Sequence, residues 1–196
     1  MSVPTTMFRL TGRDYPPAKL SQASLIIIDA QKEYLSGPLA LSGMDEAVAN
    51  IARLLDAARK AGRPIIHVRH LGTVGGRFDP QGPAGEFIPG LEPRDGEIII
   101  EKRMPNAFKN TKLHETLQEL GHLDLIVCGF MSHSSVSTTV RRAKDYGYRC
   151  TLVEDASATR DLALKDQVIP AAQIHACEMA VMADNFACVA PTASLI

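Results

Sequence analysis

The sequence predicts an α/β protein: one mostly parallel sheet with helices on both faces. Three observations predict it. Apolar strand-like runs alternate with stretches of helical period across most of the chain. The run SLIIIDA (24–30) is continuously apolar and rich in isoleucine, as a strand buried on both faces must be. The 196 residues are 45% apolar and 22% charged, which suffices for one full-sized core.

The elements follow in order. Residues 1–20 hold three of the twelve prolines and read as an irregular arm. After the first strand, MDEAVANIARLLDAARKAG (44–62) places Met44, Ala47, Val48, Ile51, Leu54, Leu55 and Ala58 at helical spacing, with Gly62 as the stop. PIIHVRHL (64–71) is strand-like. Residues 72–96 are rich in glycine and proline, and a loop of that length is either functional or disordered. EIIIEKR (97–103) is a short strand. Asn110 is the expected cap of a helix carrying Leu113, Leu117 and Leu120, closed by Gly121. LDLIVCGF (123–130) is a fourth strand, followed by a helix over about 135–146 with Val136, Val140 and Ala143 on one face. RCTLVEDA (149–156) is a fifth strand, 166–184 a mostly apolar helix and FACVAP (186–191) a sixth strand. No internal repeat or linker divides the chain.

Composition narrows the partners. The net charge is −1, without a basic stripe, so no nucleic acid is expected. No apolar run approaches the ~20 residues that span a bilayer, and the first twenty residues lack the apolar core of a secretory signal. A soluble, cytoplasmic protein is expected. Cys128, Cys150, Cys177 and Cys188 show no CxxC spacing and are expected to be reduced; Cys128, Cys150 and Cys188 lie in apolar runs, as small core residues do.

Three positions carry chemistry. Asp29 ends the first strand, and in parallel sheets the ligand crevice lies beyond the carboxyl ends of the strands. Taken alone it serves equally well as a cap of the next turn. Lys102 ends another strand; a lone lysine there is ordinarily solvated, but a lysine and an aspartate in one desolvated crevice can accept and return a proton. The stretch GFMSHSSVSTTVRRA (129–143) passes from strand through Gly129 to a helix opening near Ser134 and Ser135. N–H groups at a helix start stabilise an anionic nucleophile and an oxyanion, although serine and threonine there also serve simply as caps.

Together the three segments resemble the isochorismatase-like hydrolase superfamily, the cysteine hydrolases that include nicotinamidases and N-carbamoylsarcosine amidohydrolase. The marks are LIIIDAQKEY with Asp29, IIIEKRMPNAF with Lys102, and GFMSHSSVSTTVRRAKDYGY followed by VEDASATRD. The third motif has the family form G-x-x-[T/S]-x-x-C-V-x-x-T, then A and G-[Y/F]. Gly129, Ser132, Val136, Thr139, Ala143, Gly147 and Tyr148 fit that register, which puts Ser135 where the family has its catalytic cysteine and leaves Ser132, Ser134 and Ser137 as supporting residues. The resemblance covers about residues 20–190. It implies a single domain over 1–196, with 1–20 as an N-terminal arm, folded as a three-layer α/β/α Rossmann-like sandwich on a six-stranded, mostly parallel sheet. It implies a catalytic triad of Asp29, Lys102 and residue 135, a non-proline cis peptide at Phe130–Met131, and an oxyanion hole from the N–H groups of Met131 and Ser135. In the cysteine members the thiol attacks an amide carbonyl, an amine leaves, and water frees the acid. Several members hold a zinc-type metal through an aspartate and histidines after the first strand. QKEYLSGPLALSG (31–43) has no histidine, so no metal and no cofactor are expected, and a nicotinamidase is disfavoured. Family members are commonly dimers or tetramers, so a homo-oligomer acting on a small-molecule substrate is implied.

Serine at 135 departs from that pattern. A thiol with a pKa near ~8.5 ionises readily beside a cation, whereas an alcohol needs a full general base. The motif therefore reads as an amide hydrolase in an inactivated form, with Ser135 in place of the cysteine. Open beside it are a natural isochorismatase-type vinyl-ether hydrolase with Asp29 as general acid, a working serine nucleophile, and a non-catalytic binding protein. Phe108, in MPNAF, is placed as a pocket wall or a core aromatic; His70 and His133 are candidate substrate contacts or structural histidines. Asp155 is expected to cap the turn after the fifth strand. Arg77 and Phe78 are expected to cover the crevice.

Overall fold

A computed structural model of the protein describes residues 3–196; Met1 and Ser2, which begin the expected arm, lie outside the described residues. The strands are β1 (Ser24–Ile28), β2 (Ile65–His70), β3 (Ile98–Lys102), β4 (Asp124–Phe130), β5 (Arg149–Ala158), β6 (Leu162–Leu164), β7 (Gln167–Ile169) and β8 (Cys188–Ala190). The helices are α1 (Met7–Leu10), α2 (Met44–Lys60), α3 (Leu113–Leu120), α4 (Ser137–Asp145) and α5 (Ala171–Asn185). Six strands form one sheet in the order β3-β2-β1-β4-β5-β8, every pair parallel.

The isoleucine run explains the layering. Leu25 and Ile27 of β1 face one side of the sheet, where Ile51, Leu54 and Leu55 of α2 cover them. Ile26 and Ile28 face the other side, with Leu117 of α3, Val140 of α4 and Met182 of α5. All five residues of β1 are buried. Each fully buried aliphatic side chain contributes roughly 1.5–3 kcal/mol, so the central strand needs both helical layers.

Four local readings are corrected. The arm is not wholly irregular: Thr6 accepts from Arg9 N to cap α1, and Met7 N donates to Asp184 Oδ1 at 2.8 Å, which docks the arm on α5. The helix expected from residue 166 starts at Ala171 instead. Pro170 has the extended backbone of a helix cap, and the residues before it form the β6–β7 hairpin. Lys165 takes the left-handed conformation in the hairpin turn, at φ 53°. Asn110 does not cap α3; it is itself left-handed at φ 55°, and Thr111 Oγ1 accepts from Leu113 N at 3.2 Å. Asp155 does cap a turn, but a distant one, accepting from Thr192 N at 2.8 Å and Thr192 Oγ1 at 2.7 Å. Cys128 and Cys150 are buried as expected, while Cys188 is half-buried and Cys177 exposed.

Candidate active site

The chain builds β1, β2 and β3 outward in one direction and then crosses back to place β4 on the other side of β1. That reversal opens a crevice between the carboxyl ends of β1 and β4. Asp29 leaves β1 there, in the left-handed conformation at φ 50°. Aspartate tolerates that region better than most residues, at some cost in strain. Ser135 leaves β4 through a π-helical turn, Ser132–Val136, ahead of α4. Gly129 makes the approach possible: it pairs with Ile28, has φ 115°, and a Cβ on it would lie 2.1 Å from the Ile28 carbonyl oxygen.

Lys102 arrives from β3, two strands from β1 and so roughly 9–10 Å away. Its long side chain crosses beneath the end of β2. The side chain is wholly buried, and Nζ lies 2.7 Å from Asp29 Oδ2, 3.2 Å from Ser135 Oγ and 3.3 Å from His70 Nδ1. An ammonium has three protons to donate, and each meets one acceptor here. Burial holds His70 neutral, and the charges of Lys102 and Arg103 reinforce it, lowering its pKa to about 4. Its Nδ1 therefore accepts from Lys102. Burial raises the Asp29 pKa, opposed by the charge and hydrogen bond of Lys102 and by Ser135. Asp29 Oδ1 has no hydrogen-bond partner within bonding distance. Ser135 Oγ accepts from Lys102, which leaves its own proton uncommitted.

The nucleophile turn is held from several sides. The Phe130–Met131 peptide is cis. Ser134 and Val136, but not Ser135, donate their N–H groups to the Met131 carbonyl, at 3.0 and 3.3 Å. Ser132 Oγ meets His175 Nδ1 at 3.2 Å, and Ser137 Oγ donates to Glu178 Oε1 at 2.5 Å, both on α5. His133 Nδ1 meets Thr159 Oγ1 at 2.5 Å; it belongs to the turn without touching Lys102 or Asp29.

The long 72–96 loop packs against the residues that follow β1 and against His70. Gln31 and Phe87 form an antiparallel bridge, and Gln31 donates to the carbonyls of His70 and Gly85 while accepting from His70 N. Phe78 packs edge-on against His70 and Tyr34, with ring centroids 5.0 and 5.2 Å apart. Buried Glu33 holds this stretch, accepting from Arg77 Nη1 and Phe78 N, both at 3.0 Å. Phe108 packs in the core against Tyr146 and Tyr148, at the C-terminal end of α4. Sequence reasoning missed Gln31, Glu33 and Tyr34 as site-forming residues; their place directly after Asp29 was the available signal. A cavity of about 430 Å³ lies beside the cluster rather than over it, between the N-terminal ends of α2 and α5 and the end of β5, with Thr159 and His175 in its wall.

With this geometry in place, the comparisons define the class. An Isochorismatase domain model matches residues 23–193, and the chain belongs to that family. A crystal structure of an isochorismatase from Pseudomonas putida KT2440 is 95% identical, covering 99% of this chain and 100% of that one with a TM-score of 0.98. The uncharacterised isochorismatase family protein YddQ of Bacillus subtilis (strain 168) is 39% identical, over 88% of this chain and 98% of that protein. A streptothricin hydrolase of Streptomyces noursei is 32% identical, over 81% of this chain and 64% of that protein. The family includes hydrolases of amides, this one and a nicotinamidase among them.

Proposed function

We propose that the protein hydrolyses the C–N bond of a small-molecule amide at Asp29, Lys102 and residue 135. The observation that carries this reading is the buried Lys102 ammonium, held between Asp29 Oδ2 at 2.7 Å and Ser135 Oγ at 3.2 Å. In the first step Oγ attacks the amide carbonyl and its proton passes to Asp29 Oδ1. Lys102 stabilises the developing negative charge, and the N–H groups of Met131 and Ser135 face the oxyanion. The tetrahedral adduct collapses with cleavage of the C–N bond, and the leaving nitrogen takes the proton from Asp29. Water, deprotonated by Asp29, then splits the ester and returns the proton to Oγ. His70 and Phe78 flank the substrate.

An alcohol is a far weaker acid than a thiol, so the serine form is expected to turn over slowly or only to hold substrate, and Ser135→Cys to raise amide hydrolysis. The raised pKa of Asp29 supports a second reading, in which it is the general acid of an isochorismatase-type vinyl-ether hydrolase without a nucleophile. A panel of small amides and isochorismate on both forms separates the two, with ammonia release and intact protein mass as readouts. Amide turnover and an acyl adduct at position 135 support the first reading. Isochorismate consumption by the serine form, with no amide cleaved by either form, overturns it.

A further inference from the structure

One proton of the Lys102 ammonium goes to a group that the proposed reaction does not use. Its acceptor is Nδ1 of His70, at 3.3 Å. His70 ends β2, the strand between β1 and β3, and pairs in register with Lys102. The lysine side chain is sealed from solvent, so its acceptors must come from the protein. Asp29 Oδ2, Ser135 Oγ and His70 Nδ1 are those acceptors.

The imidazole is itself held in place. Gln31, wholly buried and two residues past Asp29, accepts from His70 N at 2.8 Å and donates to the His70 carbonyl at 3.0 Å. These two bonds tie the end of β2 to the chain leaving β1. Phe78 meets the ring edge-on, with centroids 5.0 Å apart. The contacts close a circuit: Gln31 joins β1 to β2, the imidazole joins β2 to Lys102 on β3, and the ion pair returns to Asp29. An ammonium can donate to Nδ1 only if that nitrogen carries no proton, so the ring proton sits on Nε2. Nε2 has no hydrogen-bond partner among the described residues, and nothing there opposes that tautomer.

We infer that His70 is a positioning residue for the reaction: its Nδ1 holds the third ammonium proton, which keeps the other two aimed at Asp29 and at the nucleophile at 135. This rests on the reading of Asp29, Lys102 and residue 135 as the reaction centre. Without that acceptor a desolvated N–H is left unpaired, which disfavours the charged lysine and frees its head to turn. A weaker or misdirected cation stabilises an anion at 135 less.

The test uses the thiol introduced by Ser135→Cys, whose ionisation reports the cation beside it. Its alkylation by iodoacetamide, located by peptide mass and followed across pH, gives the thiol pKa without any substrate. Two further substitutions separate the acceptor from the ring. His70→Asn keeps an acceptor bonded to Cγ, as Nδ1 is, and loses the ring. His70→Phe keeps a ring against Phe78 and loses the acceptor. In His70→Phe the thiol pKa is expected to rise by about one unit, and kcat for amide hydrolysis to fall about tenfold with KM little changed. His70→Asn should restore most of both. The reverse order, with His70→Phe harmless and His70→Asn harmful, would show a packing role and overturn the inference. A thiol pKa that neither substitution moves would overturn it as well. Nitrogen NMR of the unaltered protein needs no variant: from about pH 5 to pH 8 the His70 ring should be neutral with its proton on Nε2, and a proton on Nδ1 overturns the inference. The expected shift in thiol pKa with no amide hydrolysis by any form would leave the positioning role standing and remove the proposed reaction instead.

Discussion

Lys102 Nζ lies 2.7 Å from Asp29 Oδ2, with both side chains sealed from solvent. Neither charge is tolerable there without the other. Removing one partner of such a buried pair costs about 3–5 kcal/mol, because the charge left behind has neither water nor a counter-ion. Lys102→Met and Asp29→Asn are therefore each expected to destabilise the fold by about that much. The double variant should be more stable than the sum of the two predicts, by about 2 kcal/mol. Denaturant unfolding of the four proteins measures the coupling, and additive losses would show that the pair is not interacting as described.

The parts of this site that were legible in the sequence are those set by strand pattern. Leu25–Ile28, Ile98–Ile100 and Leu125–Val127 are apolar runs whose ends had to reach one crevice, and Asp29, Lys102 and Ser135 mark those ends. What stayed hidden depends on chain direction beyond a strand. Phe108 lies six residues after Lys102, yet the intervening turns carry it to the tyrosines beyond α4. The hairpin at 162–169 is built from strands of three residues, too short to show a period of two against helix-compatible composition.

Gly129 sets the distance between the two walls. Its φ of 115° is one that side chains rarely adopt, and a Cβ would strike the Ile28 carbonyl at 2.1 Å. That oxygen is backbone at the sheet centre, so it has nowhere to move. Gly129→Ala is expected to lose about 3 kcal/mol or more. Gly147→Ala makes the comparison: φ is 87°, but nothing lies within 4 Å of the added carbon. Its cost should be about 1 kcal/mol, from backbone strain alone. Thermal unfolding of the two variants checks the order, and equal losses would mean that steric approach to β1 is not the reason for glycine at 129.

Acid should loosen the far end of the loop through Glu97. Burial alone would raise its pKa. Hydrogen bonds from Arg59, Arg94 N and His67, with the Arg59 charge, outweigh that and hold it at about 2 against an ordinary 4.5. The fold thus favours the ionised form. Its contribution is complete above about pH 4.5 and disappears as the pH falls toward about 2. Glu97→Gln should cost about 2 kcal/mol at neutral pH. The gap between this variant and the unaltered protein should then close on acidification through that window. A gap that stays constant with pH would show that the carboxylate's charge is not what matters.

Glu33 decides how firmly Phe78 is held against His70 and Tyr34. The Arg77 side chain that reaches it is 57% exposed, so that ion pair contributes little. The bond from Phe78 N is different: both residues are buried, and Phe78 is held at φ 50°. Glu33→Ala removes its acceptor and leaves a buried N–H unpaired, a local cost of about 1–3 kcal/mol. Glu33→Gln keeps an oxygen at that place and should cost less. Amide exchange at Phe78 is therefore expected to quicken strongly in the alanine variant and mildly in the glutamine one. If the loop also shields the substrate, KM for an amide should rise more than kcat falls. Unchanged exchange at Phe78 in Glu33→Ala would show that the loop is held by its aromatic contacts with His70 and Tyr34 instead.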